Sequence, residues 1–197
     1  MLSSPINLLK FKSLGEDIYV YKNFISEFEI NEVLSEVKDV KDWYVGEYFK
    51  NTMSRYNTKT TAYIQKRIQS LLDNNHFASE SGHVVKMIKG NEWRSHSDVH
   101  DFELVEKLAA EYKEGEDFLI RELSVFGTIV YYELPKSGGG LYYPKQNIEY
   151  MPSPGDLVIH GSGSYCEHGV REIVDGERYS TSGFIYKHVK IKNEKTL

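Results

Sequence analysis

The chain has 197 residues, a formal net charge of −5, and 40% hydrophobic and 27% charged residues. That balance predicts one globular domain, residues 1–197, with a sizeable core, and excludes a chain dominated by disorder. The acidic total argues against nucleic acid as a partner. The single cysteine, Cys166, rules out an internal disulfide and suits a reducing compartment. Residues 1–12 lack a signal-peptide core, and no run approaches the roughly 20 apolar residues of a membrane span. The expectation is a soluble, cytoplasmic protein without a membrane partner; the oligomeric state is left open.

Asp17–Tyr21 reads as an early strand. Ser26 and Glu29 then stand as a capping box with Ile25 and Ile30 as a staple. Ile30, Val33, Leu34 and Val37 at helical spacing predict a helix over 27–39. Tyr63, Ile64, Ile68, Leu71 and Leu72 predict a second over 59–73, and Leu104, Val105, Leu108, Ala109 and Tyr112 a third over 102–113. From there the texture changes to short β-type runs: 120–126, 128–134, 156–160, 168–174 and 180–189. Clusters such as Ser137-Gly138-Gly139-Gly140 and Pro152-Ser153-Pro154-Gly155 separate them. Helices followed by many short strands predict an α+β fold with a jelly roll, its β core at about 80–190, supported by the N-terminal helices.

The chemistry-bearing residues lie in that β region. His96 and Asp98 are two apart, so on a strand both side chains face one side. His168 comes later, in Cys166-Glu167-His168-Gly169-Val170. Two imidazoles and a carboxylate form the facial ligand set of non-haem Fe(II) oxygenases, which leaves open positions on the metal. His100 continues the His96–Asp98 alternation and competes for the third place; His160 competes more weakly. His76, His83 and His188 read as surface or structural, and Cys166 as a small buried thiol. The aromatic stretch Trp43–Phe49, with Arg55 and Tyr56, suits either core packing or a cover over a substrate.

Taken in order, these segments resemble the prolyl 4-hydroxylase-like branch of the Fe(II)/2-oxoglutarate dioxygenases. The resemblance rests on Val20–Ser26, on Lys89-Gly90-Asn91-Glu92-Trp93 leading to His96-Ser97-Asp98, and on Gly139–Pro144. It continues through Pro152–Ile159, and through His168-Gly169-Val170 followed by Gly176-Glu177-Arg178-Tyr179-Ser180. It covers about residues 18–186 and implies a double-stranded β-helix holding Fe(2+) and 2-oxoglutarate.

On that resemblance His96, Asp98 and His168 are the metal ligands and the catalytic set, with His168 preferred to His100 because Arg178 follows it by ten residues. Arg178 is the residue for the distal carboxylate of 2-oxoglutarate, its planar fork matching a carboxylate. Ser180 or Ser182 adds a hydrogen bond, as does Tyr131 or Tyr132, with Tyr132 the preferred one. Met87 stands where the family often has a tyrosine. The implied cofactors are Fe(2+), 2-oxoglutarate and dioxygen, with ascorbate as a further candidate. The implied activity is hydroxylation of a protein or peptide side chain, prolyl first. A small metabolite, a free amino acid and a nucleic acid base are alternative substrates. The DNA-dealkylating branch carries a second arginine where this chain has Phe184. A non-catalytic β-barrel binding module is the alternative from another class.

Overall fold

The computed structural model describes residues 10–41, 43–45, 54–79, 82–98, 102–115 and 117–192. In chain order these give β1 (Lys12–Gly15), β2 (Ile18–Tyr21), α1 (Glu27–Val37), β3 (Tyr44–Val45), β4 (Ser54–Asn57), α2 (Lys59–Gln69), β5 (His76–Ala78) and β6 (His83–Ile88). There follow β7 (Trp93–His96), α3 (Phe102–Glu111), β8 (Phe118–Glu133), β9 (Ser137–Gly138), β10 (Leu141–Tyr143) and β11 (Ile148–Tyr150). The last four are β12 (Leu157–Gly161), β13 (His168–Val170), β14 (Ile173–Asp175) and β15 (Glu177–Lys192).

The strands pair antiparallel into two facing sheets and a separate two-stranded ribbon of β9 and β14. The larger has nine strands in the order β1-β2-β12-β8-β15-β6-β4-β3, with β5 on the end of β15, and the smaller has four, β11-β10-β13-β7. This is the expected α+β jelly roll. Period-two alternation divides the large sheet's side chains between two cores. Val84, Val130, Tyr132, Leu157, Ile159 and Tyr179 face outward onto Val33 and Val37 of α1 and Ile64 and Ile68 of α2. Ile18, Val20, Val85, Met87, Ile129, Tyr131 and Val158 face inward onto Leu141, Tyr143 and Val170 of the small sheet. The functional residues sit at one end of this inner layer.

Local chemistry sets the elements. Ser26 Oγ accepts from Glu29 N and Glu29 Oε2 accepts from Ser26 N at 2.7 Å, so α1 starts at its predicted capping box. Both early helices end sooner than expected, at Val37 and Gln69. Gly155 has φ +88°, a conformation that favours glycine. There the Pro152–Asp156 turn closes on the fully buried Asp156, which accepts from Ser153 N and pairs with Lys22 at 2.6 Å. Two predicted boundaries fall elsewhere. The runs 120–126 and 128–134 are one strand, β8, passing through Gly127. The run 168–174 is broken into β13 and β14, which belong to different sheets.

Candidate active site

His96 ends β7 and His168 opens β13, and the two are directly paired across the small sheet. Asp98 follows β7 by two residues and turns to the same side. His96, Asp98 and His168 each offer one ligand atom, and these atoms lie within 4.8 Å of one another. Asp98 Oδ1 is 3.9 Å from His96 Nε2 and 3.8 Å from His168 Nε2. Adjacent ligands of a metal at about 2.1 Å would be about 3 Å apart, so a small contraction brings the set onto one ion. The second ring nitrogens fix which atom would face a metal ion. His96 Nδ1 lies 3.0 Å from the Arg94 carbonyl and His168 Nδ1 3.1 Å from the Cys166 carbonyl. A carbonyl only accepts, so Nδ1 carries the proton and Nε2 presents its lone pair, as ligating histidines require.

The electrostatics agree. Burial first, then repulsion from His160, pushes the His168 imidazole down to about 3, keeping it neutral and available as a ligand. Burial works to raise the Asp98 carboxyl, but His160, His168 and His96 overcome it and hold it below the ordinary carboxylate value. The donor set fits a divalent metal of the non-haem iron type.

Arg178, the second residue of β15, is 2% exposed. Its Nη1 contacts the Met87 sulfur at 2.9 Å and its guanidinium lies 5.1 Å from the Tyr131 ring centroid. Neither Arg178 Nε nor Tyr131 Oη has a hydrogen-bond partner among the described residues. No carboxylate in them pairs with Arg178. A buried cation left this way is costly unless a ligand supplies the anion. Arg178, Ser180 and Ser182 line the same cavity of about 270 Å³ as His96, Asp98 and His168. Val85, Trp93, Ile129, Val170 and Phe184 give it apolar walls. The cavity thus joins three side chains that could hold a metal ion to a buried guanidinium, and an oxo-acid of 2-oxoglutarate's kind would match that pair of features.

Tyr132 corrects the sequence reading. It lies on the outward face of β8, in the helix-side core, and donates to Thr181 Oγ1 at 2.7 Å. Its neighbour Tyr131 faces inward, beside Arg178, and burial, partly opposed by Arg178, pushes its hydroxyl up to about 12. Met87 fills the space against Arg178 that its departure from the family pattern had flagged. His83, read as surface or structural, lines the cavity. Cys166 is buried and points to the carbonyls of Glu16 and Asp17 rather than into the cavity; burial raises its thiol to about 11. His76 pairs with Asp73 at 2.7 Å, and His188 lies 3.5 Å from Glu122. His100 lies outside the described residues, as do 46–49. Trp43 packs against Tyr179 in the helix-side core, 6.2 Å between ring centroids.

One residue had no signal in the sequence. Gly127 pairs with His160 across β8 and β12. A Cβ at Gly127 would stand 2.4 Å from Asp98 Oδ2 and 2.5 Å from His160 Nε2. A glycine in mid-strand, unfavourable by itself, is therefore the condition for seating the Asp98 carboxylate beside His160. Only the cross-strand register reveals it.

No protein-family model matches the chain, and no curated protein matches it. Solved structures do. A viral collagen prolyl hydroxylase from Paramecium Bursaria Chlorella virus-1, solved as a 2OG complex, is 13% identical with a TM-score of 0.66, covering 88% of this chain and 97% of its own. A prolyl hydroxylase from Trichoplax adhaerens, in complex with a hypoxia inducible factor oxygen degradation domain peptide fragment, is 14% identical with a TM-score of 0.62; the match covers 87% of this chain and 84% of that one. HygX from Streptomyces hygroscopicus, with nickel, 2-oxoglutarate and hygromycin B bound, is 14% identical with a TM-score of 0.56, covering 87% and 82%. The chain has the jelly-roll fold of the prolyl hydroxylases and 2-oxoglutarate oxygenases.

Proposed function

We propose that this protein is an Fe(II)- and 2-oxoglutarate-dependent dioxygenase that hydroxylates a protein or peptide side chain, with proline the first candidate. One observation carries the reading: three converging candidate metal donors share one cavity with a buried arginine that meets no carboxylate among the described residues. When bound, the iron and keto acid supply oxidative decarboxylation coupled to C–H hydroxylation. The chain's own residues do the rest. His96, Asp98 and His168 hold the metal, with both Nδ1 protons tied to backbone carbonyls. Arg178 would receive the distal carboxylate, its planar fork suiting that group, with Tyr131 and Ser180 or Ser182 as further donors. Val85, Ile129 and Val170 exclude water from the reacting centre. Four intact polar groups serving one chemistry speak against a binding module without turnover.

Fold neighbours support two substrate classes, since one was solved with a peptide and another with hygromycin B. The peptide reading is the first choice, and the small-molecule reading is the second. Ascorbate serves as an optional reductant in this reading, and the chain works in the cytoplasm as a single domain. Among the described residues no helix is long and apolar enough to cross a membrane. Succinate release from 2-oxoglutarate and Fe(II), measured against proline-containing peptides and a small-metabolite panel, tests the reading. Peptide-stimulated succinate is the expected result. Stimulation by metabolites alone transfers the assignment to the second class, and no succinate under any condition rejects both.

A further inference from the structure

His160 is a buried imidazole at the metal centre that the ligand set leaves out, and its surroundings are specific. It is 1% exposed, on β12, with its ring 3.9 Å from the ring of His168. The Asp98 carboxylate is divided between neighbours. Oδ1 is the oxygen near His96 and His168, while Oδ2 lies 3.3 Å from His160 Nε2. On the far side, His160 Nδ1 is 3.1 Å from the hydroxyl of the fully buried Tyr143. A carboxylate oxygen only accepts, so the proton of a neutral His160 belongs on Nε2. Nδ1 is then left to accept from the Tyr143 hydroxyl, while Nε2 faces Oδ2 at ion-pair distance, short of full hydrogen-bond geometry, and Oδ2 has no other partner among the described residues. Gly127 clears the space in which Nε2 and Oδ2 meet.

We propose that His160 is a positioning residue for the metal carboxylate: it occupies Asp98 Oδ2 and leaves Oδ1 as the one oxygen presented to the metal. The proposal rests on the dioxygenase reading of the site, and it assigns His160 a role outside the coordination sphere. Partners of this kind change metal affinity by about 10- to 100-fold when removed.

The test uses Co(II) binding to the full-length, metal-free protein, followed by calorimetry and by the visible absorption of the bound ion. Glutamine's amide reaches the place of Nε2, whereas asparagine's reaches only the place of Nδ1. His160→Gln should therefore keep most of the affinity, while His160→Asn and His160→Phe lose about 10- to 100-fold. The visible bands should keep their positions, because the ligands are unchanged. Circular dichroism verifies folding, and if His160→Phe does not fold, the Gln–Asn contrast decides alone. Equal affinities in His160→Gln and His160→Asn would overturn the proposal. So would bands that shift as though a nitrogen ligand had been lost, since His160 would then be a ligand itself. If the parent binds Co(II) and only the contrast fails, the site reading stands. A parent that binds no Co(II) overturns both.

Discussion

Two faces of one sheet treat the same residue types in opposite ways. On the helix side, Tyr132 Oη bonds Thr181 Oγ1, and both lie deep in a closed core. On the inner side, one residue along β8, Tyr131 is equally buried with its hydroxyl unpaired among the described residues, next to an Arg178 that meets no carboxylate in them. Unmet hydrogen bonds alone do not separate the faces, because Gln65 and Thr128 also have buried polar atoms without partners. Charge does. A neutral orphan costs about 1–3 kcal/mol, whereas an uncompensated buried guanidinium costs several more. On the proposed reading Arg178 is thus preorganised for a ligand, and Tyr132 is structure.

The contrast can be broken at several points. The largest effect is expected from Asp98→Ala, which removes the one anionic ligand; metal binding and succinate formation should vanish while circular dichroism is unchanged. Retained turnover would reject the site. Arg178→Lys keeps the charge but loses the fork. The 2-oxoglutarate concentration needed for half-maximal rate should rise roughly ten- to hundred-fold, the worth of one charge-assisted hydrogen bond. An unchanged requirement would mean that another residue holds the carboxylate.

The two tyrosines sharpen the comparison further. Tyr132→Phe should cost about 1–3 kcal/mol in urea unfolding, since Thr181 loses its buried partner, with the 2-oxoglutarate requirement intact. Tyr131→Phe should do the reverse, leaving stability near the parent's and raising that requirement. Identical behaviour of the two variants would erase the distinction between the faces.

The last effect, negligible at neutral pH, is that of protonation. His168 is held neutral down to about 3 in the folded chain, against an ordinary value of 6.5. Between those values the unfolded chain binds a proton that the folded chain does not. Its contribution to stability is therefore full above pH 6.5 and is lost progressively as pH falls toward 3. Thermal melts of the metal-free protein should show this decline, and His168→Gln should flatten it.

Much of the site was legible because it depends on spacing. His96 and Asp98 two apart, and Arg178 ten after His168, survive any error in strand boundaries. The choice between Tyr131 and Tyr132 was not legible. Alternation says that neighbours face opposite sides, but only pairing with β15 and packing against α1 and α2 says which side is inner. The roles of Gly127 and His160 were hidden for the same reason, being set by a cross-strand register between segments more than thirty residues apart. The fold class was legible from helices followed by short strands. The breaks within 168–174 and the continuity of β8 were not, since both depend on which sheet receives each piece.

The most direct measurement is an anaerobic titration of Fe(II) and 2-oxoglutarate into the protein, watching for the charge-transfer absorption of iron chelated by a keto acid. The account predicts that the band forms in the parent, is absent in Asp98→Ala and in His168→Ala, and requires more 2-oxoglutarate in Arg178→Lys. A band of full strength in His168→Ala, or none in the parent, would contradict it.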